Sequence, residues 1–350
     1  MGLAWIFGPT ELFRLAAAET AASNSDPEKD PHVFAGIWEN DLLYNPAPGE
    51  HQDRHYTQGL KLIFLDRGAP TPAWANWLRL DALADRLPTV GLDVRAANFG
   101  LTFGQNIYTP EDGRTVNLIT NDRPYAGWLY LGAAVQRRGL TAGRIPTLES
   151  YELDVGLTGP AALGGWAQNT IHLWRHLPAF DGWGNQLRTE PVFDFKYGRA
   201  WKLSLNEESA RFFDLIPNLG ANLGTVQVSG NIGLTVRLGW NLPDDFGVQL
   251  IDSPIVLSNG PRRGPVGAFL FNGTQGRAIG RDMFLDGNLY QASAHVTKYP
   301  FVGDFMYGAA FTCGKHFEAS WTFVIRSYQF VGQNGNDAFG SLTGKFKWDF

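Results

Sequence analysis

The residues best suited to chemistry stand in the stretch Glu39 to Gly59, ENDLLYNPAPGEHQDRHYTQG. Glu39, Asn40 and Asp41 end a strand-like run that begins at Val33. Thr57, Gly59 and Lys61 then alternate with Gln58, Leu60, Leu62 and Phe64 in a second run, the pattern of a half-buried strand. A polar loop with proline and glycine joins the two, so both clusters come to one end of a hairpin. Carboxylate, imidazole and hydroxyl groups so gathered serve proton transfer and cation binding. A strict period of two puts Asn40 and Asp41 on opposite faces; for both to serve one site the strand must bulge or end there. An ordinary polar hairpin loop accounts equally well for this stretch taken alone.

A second stretch, QNTIHLWRHLPAFDGWGNQL, carries Gln168, Asn169, His172, His176 and Trp183. Two histidines four residues apart look like a helical metal pair. The glutamate of an HExxH zinc motif is missing, however, because Leu173 follows His172, so zinc is disfavoured. The plain alternative is a pair of solvated loop histidines. A nucleophilic serine is disfavoured as well, since no G-x-S-x-G elbow occurs.

These loops need strands to hold them. Asn98 to Tyr108, Tyr151 to Gly159, Val192 to Leu203 and Asn231 to Trp240 each alternate apolar or aromatic residues with polar residues or glycine, which predicts strands. Pro72 to Leu87 has tryptophan and leucine at helical spacing and predicts one short amphipathic helix, suited to a membrane interface or to core packing. The last run, Leu342 to Phe350, alternates Leu342, Phe346, Trp348 and Phe350 with Thr343, Lys345, Lys347 and Asp349. Outer-membrane barrels close on such an aromatic strand, whereas a soluble sandwich rarely leaves aromatics at a free end. The expected fold is therefore an all-β transmembrane antiparallel barrel with short helices in its loops, one domain over residues 33–350. With both termini on the periplasmic side, alternation sends the loops Asn45 to Arg54, Tyr108 to Pro124 and Gly159 to Glu190 to the extracellular mouth. The turn Arg137 to Thr147 falls at the other end.

Composition sets the bounds. One cysteine in 350 residues excludes a disulfide framework and a cysteine-based zinc site. A net charge of −5 argues against a nucleic-acid partner, which would need a basic face. A mean hydropathy of −0.18 fits a soluble or a barrel protein. Residues 1–32 read as a degenerate signal or leader segment: small residues surround Ala16 to Ala22, but an early lysine or arginine is lacking and Gly8-Pro9 breaks the apolar run.

Taken together, the blocks END…DRHYTQG, GQNIYTPED…NDRPYAGWLY and QNTIHLWRHLP…GWGNQL, in this order and followed by a closing Phe350, resemble the lipid A 3′-O-deacylase family, from about Phe34 to Phe350. The resemblance implies a twelve-stranded outer-membrane barrel of a bacterial cell. Its implied activity is calcium-dependent hydrolysis of the ester holding the 3′-linked acyloxyacyl chain on lipid A, a lipopolysaccharide modification, by a single barrel acting as a monomer. It further implies that His172, Asn40 and Thr57 are catalytic. His172 would take a proton from water while Asn40 and Thr57 orient that water or donate to the oxyanion. Ca2+ would be held chiefly by Asp41, with Glu39 a second candidate ligand and Asp53 an alternative. Arg54, Arg114 and Arg123 would bind the anionic head group, with rim salt bridges the plainer role for Arg54 and Arg123. Asp122 to Tyr125 would form a turn into the fourth strand. Pro178 stands where the family carries a supporting glutamate, and the family's basic pair is reduced to Arg114. The rival reading is a non-catalytic barrel, porin or scaffold.

Overall fold

The computed structural model describes residues 32–44, 54–68, 70–260 and 263–348. Nearly all of the expected leader, residues 45–53 with Asp53 among them, and Phe350 lie outside these. Alternation between an apolar and a polar face resolves into twelve antiparallel strands: β1 (His32–Asn40), β2 (His55–Arg67), β3 (Asp93–Thr109), β4 (Ala126–Thr141), β5 (Ile145–Thr158), β6 (Glu190–Trp201), β7 (Phe213–Gly224), β8 (Gln227–Trp240), β9 (Val266–Asp282), β10 (Phe301–Cys313), β11 (Phe317–Arg326) and β12 (Asp337–Trp348). Each pairs with its neighbour in sequence, and β1 pairs with β12, so the sheet closes. Closure leaves no unpaired strand edge in the lipid, where an unsatisfied backbone group has no water to bond. The sandwich alternative is thereby excluded.

The outward faces carry Phe34, Trp38, Leu131, Leu153, Val155, Ile232, Leu238 and Leu270, all exposed; such a belt is stable only against acyl chains. The inward faces carry charge. Lys61 lies 2.8 Å from Glu152, Lys196 2.8 Å from Asp154, Lys345 2.7 Å from Glu318, and Arg277 and Arg326 share Asp304 at 2.8 and 2.9 Å. Charges taken out of water persist only when paired in this way.

Residues 241–260, after β8, run back into the barrel. Ile251, Val256 and Leu257 pack on Val33, Ile63, Leu65 and Ala134. Val256 N donates to Ser150 Oγ at 3.2 Å, and Gln136 Nε2 donates to the Leu257 carbonyl. Two interior cavities, about 50 and 30 Å3, share Asp252, Arg277 and Arg326. Both are lined by charged and polar groups and are large enough to hold water. The returning segment and these charged side chains thus occupy part of the barrel interior.

Two expectations are corrected. The single helix over Pro72 to Leu87 is two, α1 (Ala73–Trp77) and α2 (Leu80–Arg86), separated by Arg79 at φ +58°. They cover the outward Phe99 and Val135, toward the end of the barrel opposite Asn40. The turn placed at Arg137 to Thr147 is only Ala142–Arg144; Arg137 belongs to β4 and pairs with Glu149 at 2.7 Å. The segment between β5 and β6 contains one of the expected short helices, α3 (Gly164–Trp174).

Candidate active site

Asn40 is the last residue of β1, and Asp41 opens a short 3-10 turn, Asp41–Leu43. The strand thus ends where the two residues must turn to one side. Asn40 Oδ1 accepts from Leu42 N at 2.9 Å, capping that turn and leaving the amide nitrogen as an outward donor. Asp41 is buried, and its Oδ2 accepts the backbone N–H of Arg54 at 3.1 Å, which ties the two ends of the first loop together.

The β2–β3 register slips between Tyr56 and Gln58, so Thr57 is the extra residue of a β-bulge. Bulges re-aim a side chain. Here Thr57 Oγ1 comes within 2.7 Å of Thr109 Oγ1. One hydroxyl proton bridges the pair.

Strand register runs from Asn40 toward the third loop. Asn40 pairs with Gln58, Gln58 with Ile107, and Ile107 with Gly127, a row on the outer face, the face that carries Trp38 two residues before Asn40. Helix α3 begins on this row: a Cβ at Gly127 would stand 3.1 Å from Gly164, so the helix sits on the wall because both positions are glycine. Ile107, Tyr125, Trp183, Ala167 and Phe180 form one apolar cluster there. Phe180 stands edge-on to the His172 ring at 5.2 Å.

His172 is buried on α3. Its Nδ1 lies 2.6 Å from the Pro178 carbonyl oxygen. A carbonyl only accepts, so Nδ1 carries the proton and Nε2 is the basic nitrogen of the ring. The backbone of Pro178 thus orients the imidazole. Asn169 fixes that backbone: its Oδ1 accepts Phe180 N at 2.9 Å and its Nδ2 donates to Phe180 O at 3.2 Å.

Sequence reasoning missed two partners. Gln168 lies one turn before His172 on the same buried face, is 3 % exposed, and has no hydrogen-bond partner for either side-chain polar atom; its i, i+4 spacing to His172 was the available signal. Thr109 was hidden because only the bulge brings Thr57 to it.

Other expected residues lie elsewhere. Glu39 faces the interior, where its oxygens accept Ile251 N at 2.9 Å and Tyr56 Oη–H at 2.8 Å; one residue of register separates it from Asn40's face, so it clamps the interior segment instead of joining Asp41. Arg123 is 1 % exposed, bonded to Gln329 at 3.2 Å and stacked over Tyr108, out of reach of a head group. Arg54 pairs with Glu111 at 3.0 Å on the rim. Arg114 stays exposed on its loop. His176, at φ +58°, lies beyond the helix and is exposed, which separates it from His172.

The turn Asp122 to Tyr125 does lead into β4. Asp122 accepts Glu111 N at 2.8 Å and Arg123 N at 2.6 Å, and lies 3.2 Å from His55 Nε2. Burial works to raise its carboxyl pKa, but the His55 contact and these N–H donors outweigh burial and hold it below the usual carboxylate range.

Comparison with known proteins supports the fold. The family described as "Outer membrane protein LpxR" matches residues 9–348. Among solved structures, LpxR from Salmonella typhimurium superposes with a TM-score of 0.69 at 18 % identity, over 90 % of this chain and 100 % of that one. The β domain of the Bordetella autotransporter BrkA gives a TM-score of only 0.44 at 9 % identity, over 92 % and 99 % of the two chains. No curated protein matches the sequence. With nearly the whole chain matched and a closed twelve-stranded barrel in place, the protein is an outer-membrane protein that belongs to the LpxR family, the lipid A deacylases whose three motif blocks it carries.

Proposed function

We propose that this protein hydrolyses the ester holding the 3′-linked acyloxyacyl chain on lipid A, at the outer surface of the outer membrane, with calcium as cofactor. The observation that carries the reading is the 2.6 Å contact that fixes the His172 tautomer, on a helix seated on the register row that begins at Asn40. The partly occupied interior weighs against the porin alternative.

In this reading His172 Nε2 takes a proton from water as its oxygen attacks the ester carbonyl carbon. Asn40 Nδ2 and the Thr57 or Thr109 hydroxyl donate to the oxyanion. The tetrahedral intermediate then breaks its bond to the sugar oxygen, which recovers the proton from the imidazolium. A fatty acid and a lipid A hydroxyl result. A positioned base of this kind contributes about 10² to 10⁴ in rate.

The donor set suits a hard cation. No group of three or more histidine, cysteine, aspartate or glutamate side chains stands together among the described residues, so a cation would draw on Asp41, on the unsatisfied Gln168 Oε1, on backbone carbonyls and on water. Calcium accepts such all-oxygen sets; bound there it would polarise the ester carbonyl. Arg114 is the exposed cation for the anionic head group. Mass spectrometry of lipid A incubated with the purified protein, with and without calcium, tests the reading: loss of one acyloxyacyl mass only with calcium supports it, and unchanged lipid A in both contradicts it.

A further inference from the structure

Helix α3 has its polarity reversed for a surface helix in water. Gln168 and His172 face the barrel and are buried, whereas Trp166, Leu173 and Trp174 are 69, 72 and 76 % exposed and Leu163, just before the helix, is 50 % exposed. At about 100° per residue, Leu163, Trp166, Thr170, Leu173 and Trp174 fall within one outward stripe roughly 100° wide, with Thr170 the one polar member. A water-facing helix would carry charge there.

The other helical element on this wall shows the same feature. The pair α1–α2 buries Ala75, Leu80 and Ala84 on Phe99 and Val135, and leaves Trp77, Leu78 and Leu83 exposed beside Arg79 and Arg86. Arginines so placed reach from an apolar surface to head groups. Both elements rest on the outward face of β3 and β4, α1–α2 at Phe99 and α3 at Ile107. Eight residues of strand separate these contacts, about 26 Å along a strand and about 20 Å in height at a typical barrel tilt of roughly 40°. The apolar band of an outer-membrane barrel is about 25 Å tall, so the two elements sit at its two edges. Between them the lipid-facing wall is continuous through Leu131, which is 62 % exposed.

We propose that α1–α2 and α3 are interfacial anchors, seated in the inner and outer boundaries of the outer-membrane bilayer, and that they fix the depth of the barrel. The occupant of both exposed faces is the acyl–headgroup boundary of the membrane. Indole rings favour that boundary. The anchoring itself rests on the membrane location alone; its bearing on catalysis rests on the deacylase reading, since α3 would then hold His172 at the level of the ester bonds of the outer leaflet.

The test reads depth and needs no activity. In a Cys313→Ser background, Leu173→Cys, Trp77→Cys, Leu131→Cys and Lys315→Cys are each labelled with an environment-sensitive fluorophore, refolded into phosphatidylcholine vesicles and checked for heat-modifiable migration. Spin-labelled lipids carry the quencher either near the head group or deep in the chain. The expected result is that labels at 173 and 77 are blue-shifted relative to 315 and quenched most by the shallow spin label. The label at 131 should be quenched most by the deep one. Labels at 173 or 77 that emit and quench like 315 overturn the proposal. So does protection of either label from lipid quenchers that varies with protein-to-lipid ratio, because a second copy of the chain would then be the occupant.

Discussion

His172 Nδ1 and the Pro178 carbonyl oxygen are 2.6 Å apart, and this contact makes a backbone acceptor the group that orients the imidazole. Its position depends on Asn169, which holds the 178–180 backbone through both of its amide atoms. Asn169→Ala removes two hydrogen bonds of about 1 kcal/mol each, and some of that loss is expected to reach the orientation of the ring. We expect kcat to fall by up to about tenfold, with KM little changed. A KM effect alone would show that Asn169 serves substrate binding instead.

Calcium dependence should follow Asp41 and not Glu39. Asp41→Asn removes the one charged donor of the proposed cation site, so calcium should no longer stimulate hydrolysis while the barrel still shows heat-modifiable migration. Glu39→Gln, whose carboxyl is spent on Ile251 N and Tyr56 Oη–H inside the barrel, should keep the wild-type calcium midpoint. A calcium titration of both variants decides; a shifted midpoint in Glu39→Gln alone would reverse the assignment.

The two arginines of the second loop should separate by phenotype. Arg114→Ala acts on an exposed side chain, where a charge contact contributes about 0.2–1 kcal/mol, so KM for lipid A should rise by up to about fivefold with stability unchanged. Arg123→Met removes a buried cation held by Gln329 and the Tyr108 ring and should lower the melting temperature with little direct effect on KM. Equal KM effects from both would place Arg123 at the substrate after all.

Acid should release the second loop. The carboxyl of Asp122 is held below its usual range in the folded protein, so its contribution is present above the unfolded value of about 3.9. It is lost as the pH falls through the lower folded value. Pepsin cleavage within residues 110–125 should therefore increase steeply below about pH 4. Asp122→Asn should lessen that dependence. Cleavage with the same pH profile in both proteins would remove Asp122 from the explanation.

Much of this was legible in the sequence where one physical rule dominated. Two-residue alternation against lipid or a packed wall announced β1, β3, β5, β6, β8 and β12, and the closing aromatic strand separated barrel from sandwich. The sequence required a bulge or a strand end at Asn40 for Asn40 and Asp41 to serve one site, and β1 does end there. What stayed hidden depends on non-local partners. Residues 241–260 carry too mixed a pattern to declare themselves interior, and their place is set by partners such as Glu39 and Ser150, roughly two hundred and one hundred residues away. Arg123 reads as a rim cation until Gln329 and Tyr108 enclose it. Glu39 adjoins Asn40 in sequence, but the pleat sends it to the opposite face. The bulge at Thr57 reflects how β2 meets β3, which neither strand's own sequence displays.

The central claim is that His172 is the base of an outer-membrane ester hydrolase. As a base it must be neutral, so the rate should rise with pH as an imidazole loses its proton, near 6.5 when unperturbed. The direct measurement is the rate of acyl release from lipid A in detergent by the wild type, His172→Ala and His176→Ala, each confirmed as a folded barrel by gel shift. We predict a loss of about 10² to 10⁴ in kcat for His172→Ala, disappearance of the imidazole limb from its pH profile, and near wild-type activity for His176→Ala. Equal rates for wild type and His172→Ala, with the same pH profile, would contradict the claim and leave a barrel whose rim residues only brace its mouth.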